Sequence, residues 1–192
     1  MFQIRIHGRG GQGVVTAAEI IAIAAFKDNY QAQAFPSFGV ERTGAPIQAF
    51  ARISLNPILV REQVGQPDII IIQDPTLIGL PEISNGANAK TRFIINSSRK
   101  NSELAQALQA TNKDISPQNV ITIDATSIAI EILKKNITNT VVLGAFAKAT
   151  GIISLKSLEE AISEKFSGKG EAIIAVNQQA VASAYENVCF PI

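Results

Sequence analysis

The chain is poor in the residues that carry redox and metal chemistry. Among 192 residues there is one cysteine, Cys189, and one histidine, His7. A single thiol excludes an internal disulfide, an all-cysteine zinc site and an iron–sulfur cluster. A single histidine excludes any site that needs two. No metal site is expected, and both scarcities suit a cytoplasmic protein. Charge is also scarce: 17% of residues are charged and the net charge is +1. That leaves no electrostatic footprint for nucleic acid or for an anionic membrane. The longest apolar run lies within residues 14–26, where Thr16 and Glu19 interrupt it. It is too short and too polar for a membrane span. The N-terminus opens directly on a strand pattern, so no signal peptide is expected.

Apolar residues are plentiful, at 46%. The length suits one ample core, and residues 1–192 are expected to form a single domain. Residues 2–7 alternate apolar and polar, as on a half-buried strand. Gly8-Arg9-Gly10-Gly11-Gln12-Gly13 follows, then the apolar run. Strand, glycine turn and helix form the context in which G-x-G-x-x-G carries meaning, and Gly8, Gly10 and Gly13 fit that spacing. Without Cβ atoms, a phosphate can approach the main-chain N–H groups closely. The helix start adds unpaired donors and partial positive charge. Arg9 offers a bidentate phosphate partner. Gly8, Arg9, Gly10, Gly11, Gln12 and Gly13 are therefore candidate ligands of a nucleotide-type phosphate. The same glycines equally suit a tight turn that serves packing alone.

A nicotinamide-binding unit usually ends its second strand on an acid that holds a ribose hydroxyl. The second strand here, residues 30–36, ends Phe35-Pro36-Ser37 with no acid. This argues against a dehydrogenase. Residues 38–46 follow as a loop with an adjacent Glu41-Arg42 pair. Arg42 is a candidate phosphate or carboxylate partner, or one half of a solvated surface ion pair. Residues 47–54 alternate as a strand, with Gln48, Phe50 and Arg52 on a wetter face, expected antiparallel to a neighbour. Leu59 and Val60 suggest a short further strand. Ile69-Ile70-Ile71-Ile72 reads as a central parallel strand covered on both faces. Asp74 follows it, best read as a turn or helix cap before Pro75.

Further strands are expected at 91–96 and 120–124. Helices are expected at 102–110, capped from Ser97-Ser98-Arg99, and from Asp124 or Thr126 to about Lys135. Others follow at 140–150, packed around Gly144 and stopped by Gly151, at 154–166 and at 171–185. The pattern gives an α/β fold: a three-layer domain with a mostly parallel, mixed central sheet and a Rossmann-like first strand-turn-helix.

Several stretches together resemble the gamma subunit of pyruvate:ferredoxin (flavodoxin) oxidoreductase, in the 2-oxoacid:acceptor oxidoreductase family. They are residues 8–19, Ala34-Phe35-Pro36-Ser37-Phe38-Gly39-Val40-Glu41-Arg42 with Gly44-Ala45-Pro46, Gln73-Asp74-Pro75-Thr76-Leu77, Asp124-Ala125-Thr126 and Leu143-Gly144-Ala145. One departure is Thr43, where the family usually carries a second arginine. The resemblance implies a subunit of a complex that decarboxylates pyruvate oxidatively to acetyl-CoA and CO2. It implies alpha, beta and delta subunits as partners. Thiamine diphosphate, magnesium and 4Fe–4S clusters would lie on those partners, and electrons would pass to ferredoxin or flavodoxin. This chain would carry no catalytic residue. It would assist coenzyme A binding through Gly8 to Gly13 and Arg42. Alternatives are a gamma subunit for another 2-oxoacid (2-oxoglutarate or 2-oxoisovalerate), a purely structural assembly subunit, or an NAD-dependent oxidoreductase.

Overall fold

The computed structural model describes residues 1–37 and 43–191. Six strands form its centre: β1 (Phe2–Arg9), β2 (Gln31–Pro36), β3 (Pro46–Ser54), β4 (Ile69–Ile72), β5 (Arg92–Asn96) and β6 (Val120–Ile123). The helices are α1 (Val14–Lys27), α2 (Pro81–Ser84), α3 (Asn101–Gln109), α4 (Ala125–Ile128), α5 (Val142–Thr150), α6 (Leu155–Lys165) and α7 (Glu171–Glu186). Across the sheet the order is β2-β3-β1-β4-β5-β6. Strands β1, β4, β5 and β6 pair in parallel, while β3 is antiparallel to both β1 and β2. The sheet is thus mixed and mostly parallel, as the pattern suggested.

Helices cover both faces. Ile4, Ile6, Ile69, Ile71 and Ile94 belong to the core that α1, α5, α6 and α7 close. Ile70, Ile72, Phe93 and Ile95 belong to a second core on the opposite face, closed by α2 and α3. The four isoleucines of β4 are each 0% exposed and alternate between the two cores. A strand buried on both faces needs such an unbroken apolar run.

The chain departs from expectation where burial, rather than periodicity, decides. Gln48, Phe50 and Arg52 share a face as read, yet Phe50 and Arg52 are 1% exposed. Arg52 is covered rather than wet: it donates to the Glu62 carbonyl and the Gln33 side chain, and its guanidinium lies 5.1 Å from the Phe35 ring centre. Leu59 and Val60 form no strand, and Leu59 is exposed. Helix α3 begins after Lys100 with no side-chain cap; Ser97 Oγ accepts instead from the Arg99 N–H. The single helix expected up to Lys135 divides. After four α-helical residues, Ala129–Leu133 winds as a π-helix and ends at Lys134 in a left-handed conformation. Asp124 caps its start by accepting from the Ser127 N–H, as one of the two expected caps.

Candidate functional site

The glycine stretch opens later than its first residue. Gly8 and Arg9 still belong to β1, paired with Ile47 and Pro46 of β3. The long antiparallel β3 extends the ladder that far. A Cβ on Gly8 would lie 2.7 Å from Val14 Cγ2, so glycine is required there for packing. Gly11 and Gly13 have φ of 94° and 70°, in the left-handed region that favours glycine. They reverse the chain into α1.

A polar clamp fixes this turn. The Gln12 side chain folds back so that Oε1 accepts from the Arg9 N–H at 2.7 Å, and Nε2 donates to Asp74 Oδ2 at 3.2 Å. The Arg9 guanidinium donates from Nε to Asp74 Oδ2 at 3.0 Å, to Thr76 Oγ1 and to the Gly44 carbonyl. Asp74 also caps the short 3-10 turn Pro75–Leu77, accepting from the Thr76 N–H. It therefore fills the capping role read for it, and additionally anchors the turn. Burial alone would raise the Asp74 carboxyl. Hydrogen bonds from Thr76 and Gln12, with the Arg9 charge, outweigh that and hold it below the usual carboxylate range.

The main-chain donors divide into two sets. The Arg9, Gly10 and Gln12 N–H groups are paired with Gln12 Oε1, the Ala45 carbonyl and the Arg9 carbonyl. The N–H groups of Gly11, Gly13 and the first turn of α1 have no acceptor among the described residues, and Gly13 as N-cap supplies no side-chain bond. A Cβ built on Gly11 meets nothing within 4 Å. The open set borders a cleft of about 360 Å³. It lies outside the C-terminal ends of β1 and β4, where the chain leaves β1 towards the β2–β3 side of the sheet and leaves β4 towards β5 on the other side. Open α/β sheets bind ligands at such switch points.

Residues that the sequence did not single out as ligands complete the cleft: Gln73, Asn96, Thr126 and Asn139. Asn96 Nδ2 donates to the Gln73 carbonyl and to Thr126 Oγ1, tying the ends of β4 and β5 to α4. Asn139 Nδ2 donates to the Gly13 carbonyl at 3.4 Å. Gln73 had a sequence signal, as a long amide straight after four isoleucines. Asn139 had none, because it reaches the turn only through tertiary packing. Arg42, the remaining predicted site residue, lies outside the described residues.

His7 stands two residues before Arg9 in β1, buried at 4% exposure, and its Nε2 has no partner among the described residues. Burial, with the Arg5 guanidinium nearby, pushes its pKa down to about 3. An unfolded histidine titrates near 6.5. Below that pH the unfolded chain takes up a proton that the folded chain refuses. The stability due to a neutral His7 is therefore complete above about pH 6.5 and falls by about 1.4 kcal/mol per unit towards pH 3. Between pH 6.5 and 5 the wild type should lose about 2 kcal/mol that His7→Gln keeps. Urea unfolding of both proteins at the two pH values checks this; equal losses would contradict it.

The fold and site define an α/β domain whose first strand passes through a glycine turn into α1. Among the described residues, no group of three or more His, Cys, Asp or Glu side chains could hold a metal ion. No helix among them is long and apolar enough to cross a membrane. Residues 3–187 match the family model described as pyruvate ferredoxin/flavodoxin oxidoreductase, and the chain belongs to that family. It is 44% identical over 187 residues to the "Pyruvate/ketoisovalerate oxidoreductases common subunit gamma" of Pyrococcus furiosus, covering 97% of this chain and 96% of that one. Over 162 residues it is 49% identical to "Pyruvate synthase subunit PorC" of Methanosarcina barkeri, covering 84% and 85%. The crystal structure of pyruvate oxidoreductase subunit PORC from Thermotoga maritima superposes with a TM-score of 0.80 at 34% identity, covering 97% and 96%.

Proposed function

We propose that this chain contributes the coenzyme A phosphate site of its oxidoreductase complex, through the open amides of Gly11, Gly13 and the first turn of α1. The chain is a gamma-type subunit of a pyruvate or related 2-oxoacid oxidoreductase, and the acid–base and electron chemistry belongs to companion chains. Those companions are alpha, beta and delta subunits, carrying thiamine diphosphate, magnesium and 4Fe–4S clusters. Ferredoxin or flavodoxin receives the electrons, and the complex works in the cytoplasm. Residues 1–192 act as one domain within it.

The observation that carries this reading is the empty space over Gly11 beside an uncapped helix start. Anions bind such ends because several N–H groups converge on them and the helix dipole favours negative charge. Coenzyme A brings a diphosphate and a 3′-phosphate. Arg9 adds positive charge from behind the turn: three of its nitrogens each donate one bond internally, and a guanidinium has five N–H donors. Arg42 is the second cation proposed for the ligand. A nicotinamide role finds no support. Strand β3 stands between β1 and β2, so the position of the ribose-binding acid is displaced by one strand.

Gly11→Val is the informative variant. Its side chain projects into open space, so packing is spared and only the left-handed backbone is strained. In the assembled complex its KM for coenzyme A should rise about tenfold or more, with KM for the 2-oxoacid nearly unchanged. An unchanged KM for coenzyme A in an intact complex would leave the turn with a packing role only. That outcome would favour a purely structural assembly subunit.

A further inference from the structure

The two edges of the sheet are finished differently. At β6 the chain closes the edge itself. Thr122 and Cys189 exchange a pair of main-chain hydrogen bonds at 3.0 and 2.8 Å. Asn101 Nδ2 donates to the Val120 and Cys189 carbonyls. At the other edge, β2 pairs with β3 alone. The Ser37 N–H donates to the Gln48 carbonyl. In this antiparallel ladder Gln31, Gln33 and Phe35 therefore bond to β3, and the residues between them turn their main chain outward. The N–H and C=O groups of Ala32 and Ala34, and the C=O of Pro36, have no partner among the described residues. Edge strands are ordinarily guarded by charge, bulges or cover. Gln31–Pro36 carries no charge, and only Pro36 blunts its far end.

An exposed apolar loop flanks the same edge. Leu55-Asn56-Pro57-Ile58-Leu59-Val60 is also without charge. Leu55 is 79% exposed, Leu59 87% and Val60 36%. The loop leaves β3 after Ser54, which lies opposite Gln31. It returns where Gln63 Nε2 donates to Ser37 Oγ at 3.2 Å. Its two ends thus stand at the two ends of β2. Near its return, the Glu62 carbonyl accepts from Arg52, which also donates to the Gln33 side chain. Gathered apolar side chains on a surface mark contact sites, and an open strand edge beside them adds directional hydrogen bonds.

We infer that this flank is a docking surface on which a companion subunit lays an extended, uncharged segment along β2, with apolar side chains against Leu55, Leu59 and Val60. An extended segment fits because outward N–H and C=O groups that alternate along a strand are matched by another strand. The donor count selects a different chain over a second copy. The edge offers the N–H groups of Ala32 and Ala34 but the carbonyls of Ala32, Ala34 and Pro36, since proline has no N–H. Two copies paired edge to edge would leave carbonyls without a donor. A foreign strand that turns more N–H than C=O groups inward satisfies them all. The inference rests on the reading of this chain as one subunit of a complex, and not on its coenzyme A role.

The test is residue-resolved hydrogen exchange in the complete complex, with Leu59→Lys and Ala34→Pro as variants. The Ala32 and Ala34 amides should exchange within about tenfold of the Gln33 and Phe35 amides, which β3 already holds. Leu59→Lys alters a side chain in open solvent, so the chain should melt within about two degrees of wild type. Its affinity for the companion subunits should fall about tenfold or more. Ala34→Pro removes one outward N–H, spares the β3 ladder and should weaken assembly likewise. If Ala34→Pro does not fold, Leu59→Lys and the exchange rates decide. Ala32 and Ala34 amides that exchange freely in the complex, a Leu59→Lys chain that assembles like wild type, or protection that arises only in a dimer of this chain would overturn the proposal. Assembly that depends on Leu59, with a KM for coenzyme A indifferent to Gly11→Val, would uphold this surface and remove the coenzyme A reading. The opposite pattern would remove this surface alone.

Discussion

Gly144→Val should destabilise the folded chain severely. Gly144 lies in α5 where that helix crosses α7. A Cβ there would stand 2.1 Å from the Val181 carbonyl oxygen, 2.8 Å from the Tyr185 nitrogen and 3.0 Å from Ala184 Cβ. The first two are backbone atoms of a packed helix, so no rotamer change relieves the clash. Overpacking a core costs about 1–3 kcal/mol where side chains can adjust, and more where backbone must shift. A loss of about 4 kcal/mol or more consumes much of the stability of an ordinary domain. It corresponds to a melting temperature lower by roughly 8–16 °C. Gly151→Ala is the control. That glycine ends α5 with φ of 62°, but a Cβ on it meets nothing within 4 Å. Only the backbone cost remains, about 1 kcal/mol. Thermal unfolding of the two variants checks the ordering. A Gly144→Val protein that melts within a degree of wild type would contradict the close crossing of α5 and α7.

Asp74→Ala should damage stability and coenzyme A binding together. The carboxylate accepts from the Thr76 N–H at 3.0 Å, from Thr76 Oγ1 at 2.6 Å, from Arg9 Nε and from Gln12 Nε2. Its removal deletes a helix-type cap worth about 1 kcal/mol. It also deletes charge-assisted bonds worth about 1.5–3 kcal/mol. Arg9 is partly exposed, so solvent reduces its share, and about 3 kcal/mol in total is expected. Gln12 then loses the anchor that lets it hold the Arg9 N–H, and the turn relaxes. KM for coenzyme A should rise, although Asp74 is itself repulsive to a phosphate. Asp74→Asn keeps an acceptor for the Thr76 N–H and should fall between the two. A variant with unchanged KM and a melting temperature within a degree of wild type would show that the clamp does not shape the turn.

Much of the fold was legible because a few signals have a single physical cause. Four consecutive isoleucines can be satisfied only by cover on both sides, and β4 has it. The glycine spacing identified the turn, and the small residues around Gly144 identified a packed helix. The misreadings share a different origin. Alternation in β3 correctly sorted its side chains into two faces but could not say what lies over each, so Arg52 was read as wet. The π-helix after Ile128 follows from packing that no local propensity encodes. The site was legible in its backbone and not in its walls. Gly11 and Gly13 announce positive φ, whereas the distant Asn139 meets Gly13 only once α5 is in place. Arg9, a bidentate phosphate partner by its place in the glycine turn, instead donates from three nitrogens to Asp74, Thr76 and Gly44, contacts that no local pattern encodes.

The most direct test of the account is a structure of the assembled complex with coenzyme A bound. The expected result is a phosphate oxygen within hydrogen-bonding distance, about 2.7–3.2 Å, of the main-chain nitrogens of Gly11, Gly13 or Val14. Coenzyme A fully ordered elsewhere, with those nitrogens facing only water or a neighbouring subunit, would contradict it.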